Sequence, residues 1–549
     1  MNLPMESGSG LTRRSLIKLI GATTAAASLT ATLAACGTTQ NNPTQGASPT
    51  GSTAPSTTAA PQGPSGTITA GISYELGTNG YDPMTTTSAL TVAANWHTME
   101  GLTEIDPSGD RKAYAALAAD LPKMVDDTHW EATLRDGAVF SDGTPVTVDD
   151  VVFSFARVLD KANKSLYASF LPFIEKVEGK DDKTVTITTK YAFSLVAERL
   201  AVVKIVPKAL VEKDAKAFDL NPVGTGPYKM TDNGAASQQV VFEANAKYNG
   251  PRPARAEKML WQVLPDASTR TNALTSDTVQ AIDSVPAADI ATLAATKKVA
   301  AEQGFGLVFV MFNQGAAPMN DVKNRQGVMW AIDVAKVCSV GMSDLATPAT
   351  SFLQKEHPNY HEAKAVYTQN LEKAKALFAE TGLKSVRLLA SNHDFFAAAR
   401  PIIKESLEAA GLSVSYEEKK SADVYGTIDG KVDAYDIVIA PGDPSVFGAD
   451  ADLLLRWWYA GDTWTDSRMH WKGQPTYTQV QDLLTKGAEA TGTAQQDAWN
   501  QVFDIVSEDL PLYPLFHRKT PTAWNGETLV DFKPIAVTGL SFEGVGTTK

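Results

Sequence analysis

Leu134-Arg135-Asp136-Gly137-Ala138-Val139-Phe140-Ser141-Asp142-Gly143-Thr144-Pro145-Val146-Thr147-Val148-Asp149-Asp150-Val151-Val152-Phe153-Ser154 is the stretch on which the reading of this chain turns. Just upstream, Trp130, Ala132 and Leu134 alternate with polar residues, the pattern of a strand with one buried face. Asp136-Gly137 and Asp142-Gly143 are turn dipeptides on either side of Val139-Phe140. Thr147 with an acid three residues later, Asp150, has the form of a capping box. It predicts a helix whose apolar face is Val151, Val152, Phe155, Val158 and Leu159. Residues 128–160 therefore read as strand, hairpin and helix, a structural unit that carries no chemistry of its own.

The rest of the body reads as mixed α and β. Phe305 to Phe312 is an apolar run suited to a buried strand; it ends at Asn313 and leads to a helix around Arg325 to Val337. Between residues 385 and 440 strand and helix alternate. Val386 to Ala390, Leu412 to Tyr416 and Tyr435 to Ala440 read as strands, and Phe395 to Leu407 has helical periodicity. That order implies βαβ units and a sheet with parallel character. With 549 residues the chain is too long for one core, so two or three domains are expected.

The N-terminus carries an address. Arg13-Arg14 precede a mildly apolar stretch, Leu19 to Ala35, which ends in Leu33-Ala34-Ala35-Cys36. The pair resembles a twin-arginine export signal and the ending resembles a lipoprotein lipobox, so residues 1–35 read as a signal peptide and Cys36 as the lipidation site. Residues 36–65 continue as Gly, Thr, Gln, Asn, Pro, Ala and Ser without a charge, a composition that cannot bury enough apolar surface to order itself. As a coil this linker reaches roughly 30 Å. The net charge of −13 and the lack of any basic run speak against nucleic acid as a partner. With Cys36 lipidated, Cys338 has no intramolecular partner, and its helical, apolar surroundings read as those of a small buried hydrophobe.

The Leu134–Ser154 block resembles the signature of the family 5 solute-binding proteins, extracytoplasmic receptors of ABC importers for peptides, nickel chelates and other solutes. Further blocks resemble the same family in order: Gly224-Thr225-Gly226-Pro227-Tyr228 with Asn245-Ala246-Lys247-Tyr248; Phe312-Asn313 with Arg325-Gln326 and Ala331-Ile332-Asp333; and Lys373 to Phe378 with Gly411-Leu412. The glycines and proline of the second block have the chemistry of a tight turn, and no Lys-Ser/Thr follows to make it a phosphate loop. The resemblance implies an α/β, two-lobed periplasmic-binding-protein-like fold of type II, in the large cluster C form. Its first lobe would comprise residues 66–96, 222–302 and 515–549, with residues 97–221 as an inserted domain. Its second lobe would be residues 303–514, and crossings near 302 and 515 would act as the hinge, with ligand enclosed between lobes.

In peptide-binding members an aspartate after a second-lobe strand pairs with the ligand's α-ammonium group. Asp443 stands in that place after the strand ending at Ala440, although Pro441-Gly442-Asp443-Pro444 is also good turn chemistry and the family's neighbouring Trp is absent. Trp457 and Trp464 offer rings to an organic solute, or core to the fold, and Arg456 offers a partner for a carboxylate. The resemblance also puts Tyr74, Glu75 and Asn313 near the cleft. The expected function is a lipid-anchored, monomeric receptor on the extracytoplasmic face of the cell membrane. It captures a peptide or similar solute for the transmembrane permease subunits of an ABC importer, without catalytic residues, metal or cofactor. A receptor for nickel or a metal chelate is one alternative, although the seven histidines show no ligand spacing. An exported hydrolase or cofactor enzyme is another, although no catalytic or dinucleotide motif is present.

Overall fold

The quoted block folds into a strand, a hairpin and a helix. Strand His129–Thr133 pairs antiparallel with Thr184–Thr189, Trp130 opposite Ile187. Gly137 and Gly143 carry the turns at φ 68° and 98°, where a Cβ would be strained. Helix Val148–Leu159 starts at a reciprocal cap, with Asp150 N donating to Thr147 Oγ1 at 3.2 Å and Thr147 N donating to Asp150 Oδ2 at 2.9 Å. Val151, Phe155 and Val158 are buried on its inner face. The helix covers a four-stranded sheet ordered Lys123–Asp126, His129–Thr133, Thr184–Thr189, Ile174–Gly179.

The computed structural model describes residues 63–76, 80–109 and 111–549. The export signal, Cys36 and the linker up to residue 62 lie outside the described residues. Among the described residues no helix is long and apolar enough to cross a membrane.

The main sheet has eleven strands among the described residues. Its order runs Ser413–Lys419, Ser385–Ser391, Ile437–Gly442, Lys298–Phe312, Leu512–Trp524, Ala281–Ile282, Thr67–Ile72, Lys258–Val263, Gln239–Ala244, Tyr228–Asn233, and the eleventh strand, Ala346–Pro348, pairs off this path with Leu512–Trp524. The alternation between residues 385 and 440 does produce parallel pairs, with Ser385–Ser391 parallel to both of its neighbours. The centre is antiparallel instead. Lys298–Phe312 and Leu512–Trp524 pair with each other and run from one half of the sheet into the other. Their ladder breaks between Gln303 and Leu307, a bulge carried by Lys298–Phe312, which advances four residues there against two on its partner. Gly304 lies in that break, and a Cβ there would stand 1.9 Å from Ala536 O. The chain's C-terminal segment thus presses against the bulge, which only glycine allows.

Several elements differ from the sequence reading: the helix expected over Phe395 to Leu407 is a short turn, Asp394–Phe396, and then a helix, Ala399–Ala409, and the strand expected at Tyr435 to Ala440 is Ile437–Gly442. The strand expected at residue 305 begins at Lys298, because residues 298–303 already pair with 519–524. The helix expected to run through Val337 stops at Ala331, since Ile332 is extended at ψ 127°; Asp333 then caps a new short turn by accepting from Lys336 N. Cys338 is buried and free, and burial pushes its thiol up to about 12, with Asp344 adding to the shift. The Gly224-Thr225-Gly226 and Asn245 blocks prove to be one contact. A Cβ on Gly224 would lie 2.1 Å from Thr98 O, and Asn245 Nδ2 donates to Gly226 O at 2.9 Å.

Candidate functional site

Strand Ile437–Gly442 delivers Asp443 to the place where the two halves of the sheet meet. Asp443 is half-buried and caps the turn Pro444–Val446, its Oδ1 accepting from Ser445 Oγ at 2.5 Å. Its other oxygen, Oδ2, accepts from the backbone N and the Oγ1 of Thr538, each at 2.8 Å. Thr538 Oγ1 also accepts from Arg518 Nη2, and the same nitrogen donates to Tyr74 Oη at 2.9 Å. The Arg518 guanidinium lies 4.5 Å over the ring of Phe395. Asp443, Tyr74, Arg518 and Thr538 therefore form one polar network drawn from three distant parts of the chain. Glu75 stands at its edge in an exposed pair with Lys420 at 3.1 Å.

The aromatic residues sit on the floor beside this network. Trp457 belongs to helix Ala451–Tyr459 and stacks on Phe170 at 5.6 Å, while Phe447 packs on Tyr167 at 4.9 Å and on Trp457 at 5.4 Å. Trp464 lies deeper, edge-on to Phe309 and Tyr425, with Arg468 4.3 Å above its ring. Both tryptophans are buried. A cavity of about 40 Å³ remains between Trp96, Tyr167, Val446 and Phe447, with Glu104 and Lys204 at its wall. Its volume suits a few water molecules, so a larger solute enters only if the two sides separate.

Arg456 and Asn313 are placed differently from the other expected site residues. Arg456 Nε donates to Asp452 at 2.7 Å and Nη2 to Leu484 O at 2.8 Å, so the guanidinium braces two helices. Asn313 Nδ2 donates to the carbonyls of Val432 and Tyr435 and its Oδ1 accepts from Gly315 N at 3.1 Å, a staple for the strand end. Neither joins the network around Asp443.

Sequence reasoning missed Arg518, Thr538, Phe447 and Arg111, whose Nη2 donates to Ser445 O. It also missed Arg199, which is wholly buried between Asp450 and Asp452. Asp450 and Asp452 carried a legible signal as helix-start residues. Arg518 and Thr538 carried none, because their partners lie far off in the chain.

The histidines are dispersed. Burial drives His97, His393 and His517 down to about 4, so each is neutral in the folded protein. Among the described residues no group of three or more His, Cys, Asp or Glu has the arrangement of a metal site.

The family model for bacterial extracellular solute-binding proteins, family 5, matches residues 112–479. A probable D,D-dipeptide-binding periplasmic protein, DdpA, of Escherichia coli is 25% identical over 473 residues, covering 81% of this chain and 89% of the relative. The glutathione-binding protein GsiB of Shigella dysenteriae is 24% identical over 472 residues, covering 84% of this chain and 91% of its own. Among solved structures, the binding protein AgaA of A. tumefaciens in complex with agropinic acid superposes with a TM-score of 0.78 at 26% identity. It covers 88% of this chain and 99% of AgaA. A dipeptide-binding protein of Pseudoalteromonas in complex with Met-Leu has a TM-score of 0.77 at 20% identity, covering 88% of this chain and 100% of that one, a likeness of fold. These relatives are binding proteins of the two-lobed, type II periplasmic-binding-protein fold.

Proposed function

We propose a function for a chain that belongs to the family 5 bacterial extracellular solute-binding proteins: it captures a peptide or similar small organic solute between two lobes and hands it to the permease of an ABC importer. The observation that carries this reading is the Asp443 carboxylate. It stands at a strand end where the two halves of the sheet meet, and its Oδ2 accepts from Thr538, a residue of the C-terminal segment. An incoming ammonium group can take the place of those two neutral donors and adds charge complementarity. The names of the relatives, a dipeptide-binding and a glutathione-binding protein, support a peptide-like ligand.

In this reading the first lobe comprises residues 66–96, 222–302 and 515–549, residues 97–221 form the inserted domain, and residues 303–514 form the second lobe. The two long central strands are the hinge, bending at the bulge that Gly304 permits. Trp457 and Phe447 close over the solute; Tyr74 and Arg518 hold Asp443's neighbours in place. The receptor performs no chemistry. Cys36 carries the lipid that holds it, as a monomer, on the extracytoplasmic face of the cell membrane.

Titration with free dipeptides, read by tryptophan fluorescence and by thermal shift, tests the reading. Saturable quenching with a rise in melting temperature is expected. Absence of both across a dipeptide panel rejects a peptide ligand. Elemental analysis of the same preparation addresses the nickel or chelate alternative, and a stoichiometric metal would replace the peptide reading with that one.

A further inference from the structure

Arg199 is wholly buried, but it neither joins the network around Asp443 nor walls the small cavity. In the two-lobe reading it belongs to the inserted domain and its acidic partners to the second lobe. Its Nε donates to Asp450 Oδ2 at 3.2 Å, and its Nη2 to Asp450 Oδ1 at 2.5 Å and to Asp452 Oδ2 at 2.9 Å. The ring contacts of Phe170 with Trp457 and of Tyr167 with Phe447 join the same two parts of the chain. Each side of this seam also keeps partners of its own. Asp450 caps helix Ala451–Tyr459 by accepting from Leu453 N at 2.9 Å, and Asp452 accepts from Arg456 Nε at 2.7 Å. Arg199 Nη1 donates to Phe170 O at 2.8 Å, with the guanidinium 5.5 Å from the ring of Phe193. None of these groups loses all its protein partners if the seam parts, and water can meet the rest. Asp452 Oδ1 is buried without a partner, a cost of the closed form that hydration removes. A half-parted seam would leave charges both dry and unpaired, so the contact has two arrangements: closed and paired, or parted and hydrated.

We propose that Arg199 is the latch of the cleft, a positioning residue that touches no ligand and sets how long any ligand is held. The proposal rests on the solute-binding reading above and on its division into lobes. A solute held beside Asp443 leaves only when the two sides separate, and they separate only when Arg199 gives up both carboxylates. The latch therefore biases the closed arrangement before a ligand arrives and slows escape once one is bound. It does so by the same factor for every ligand, because the contact it makes does not include the ligand. Asp443 discriminates among solutes; Arg199 retains them. The planar fork that reaches two acids at once is a property of arginine, and lysine supplies the charge without it.

The test uses the full chain, wild type and variants, with two readouts. Small-angle X-ray scattering without added peptide measures the radius of gyration, and stopped-flow tryptophan fluorescence measures the dissociation of Ala-Phe and of glutathione. Arg199→Gln should enlarge the radius of gyration and speed the dissociation of both peptides by one common factor of about 10- to 100-fold, leaving the ratio of their affinities unchanged. Arg199→Lys should fall between Arg199→Gln and wild type. Asp450→Asn keeps a good helix cap while removing one acid, so it should act in the same direction and stands in if Arg199→Gln does not fold, as judged by a thermal melt. An unchanged radius of gyration in the folded variants overturns the latch. So does an effect on one peptide and not the other, which would make Arg199 a ligand contact. If wild type binds neither peptide, it is the peptide reading that fails, and the scattering comparison alone decides whether the latch exists.

Discussion

Two contacts tie the stretch 443–452 to distant parts of the chain, and they are built on opposite principles. Arg199 is wholly enclosed and donates to Asp450 Oδ1 at 2.5 Å, to Asp452 Oδ2 at 2.9 Å and to Phe170 O at 2.8 Å. Asp452 in turn accepts from Arg456 at 2.7 Å. Burial opposes these charges, but each has its opposite within reach: the net effect raises the pKa of Arg199 and lowers that of Asp452. Asp443 is half-buried, and its direct hydrogen bonds come from the neutral amide and hydroxyl of Thr538 and from Ser445. The first tie is not exchangeable, since removing one member strands a buried charge. The second is exchangeable, because water can satisfy a released amide and hydroxyl while a cation suits the carboxylate better. In the two-lobe reading both ties span the cleft, so opening has to hydrate the fixed tie as a whole, whereas the exchangeable one can trade its neutral partners for a ligand while the cleft is closed.

The largest expected effect breaks the fixed tie. Arg199→Met should cost about 3–5 kcal/mol of unfolding free energy in urea; a loss under about 1 kcal/mol would put Arg199 in the same class as Asp443 and end the contrast. His97 offers a third kind of buried polar group, neutral and without a counter-charge. Its Nδ1 bonds Ala93 O at 2.7 Å and its Nε2 accepts from Phe542 N at 2.9 Å, so protonation at Nε2 would break the second bond. Its folded pKa of about 4 lies below the unfolded value of 6.5. The stability it contributes is therefore complete above pH 6.5 and is lost as the pH falls towards 4, on the order of 3 kcal/mol in all. His97→Gln should flatten the stability profile between those limits, and an unchanged slope would show that His97 is not its source.

For the exchangeable tie, Asp443→Ala should weaken an amine-bearing dipeptide by about 1.5–3 kcal/mol while moving the urea midpoint little. Unchanged affinity would reject the anchor, and a collapse in stability would make Asp443 a fixed tie after all. The smallest effect belongs to Glu75. Its pair with Lys420 is more than half exposed on both sides, so Glu75→Gln should change stability by no more than about 0.5 kcal/mol, checked by the same urea titration.

The helix at Thr147 was legible because its signal is local: cap, acid three residues on and apolar face all lie within one short segment. The same holds for the strands between residues 385 and 440, and for Asp443 as the residue after one of them. The tryptophans were legible as candidates, but their depth was not. Trp464 is enclosed by Phe309 and Tyr425, and Phe309 lies 155 positions upstream. Arg456 looked available for a carboxylate, yet Asp452 one turn earlier already occupies it, an i,i+4 pairing that the sequence did contain. Arg518 and Thr538 left no trace in the pattern, because a lone arginine on a strand and a threonine in a loop occur in every protein of this size.

By itself the sequence determined the mixed α/β class, the strand–hairpin–helix unit at residues 128–160 and the position of a carboxylate at a strand end. Each of these follows from periodicity, capping and turn chemistry acting over a few residues. Only the tertiary structure decided what that carboxylate meets. Thr538 is 95 residues from Asp443, and the carbonyl that receives Arg111 is 334 residues from it. Contacts of that separation depend on how the two long central strands bend and bring the halves of the sheet together, and no local pattern encodes the outcome of a bend.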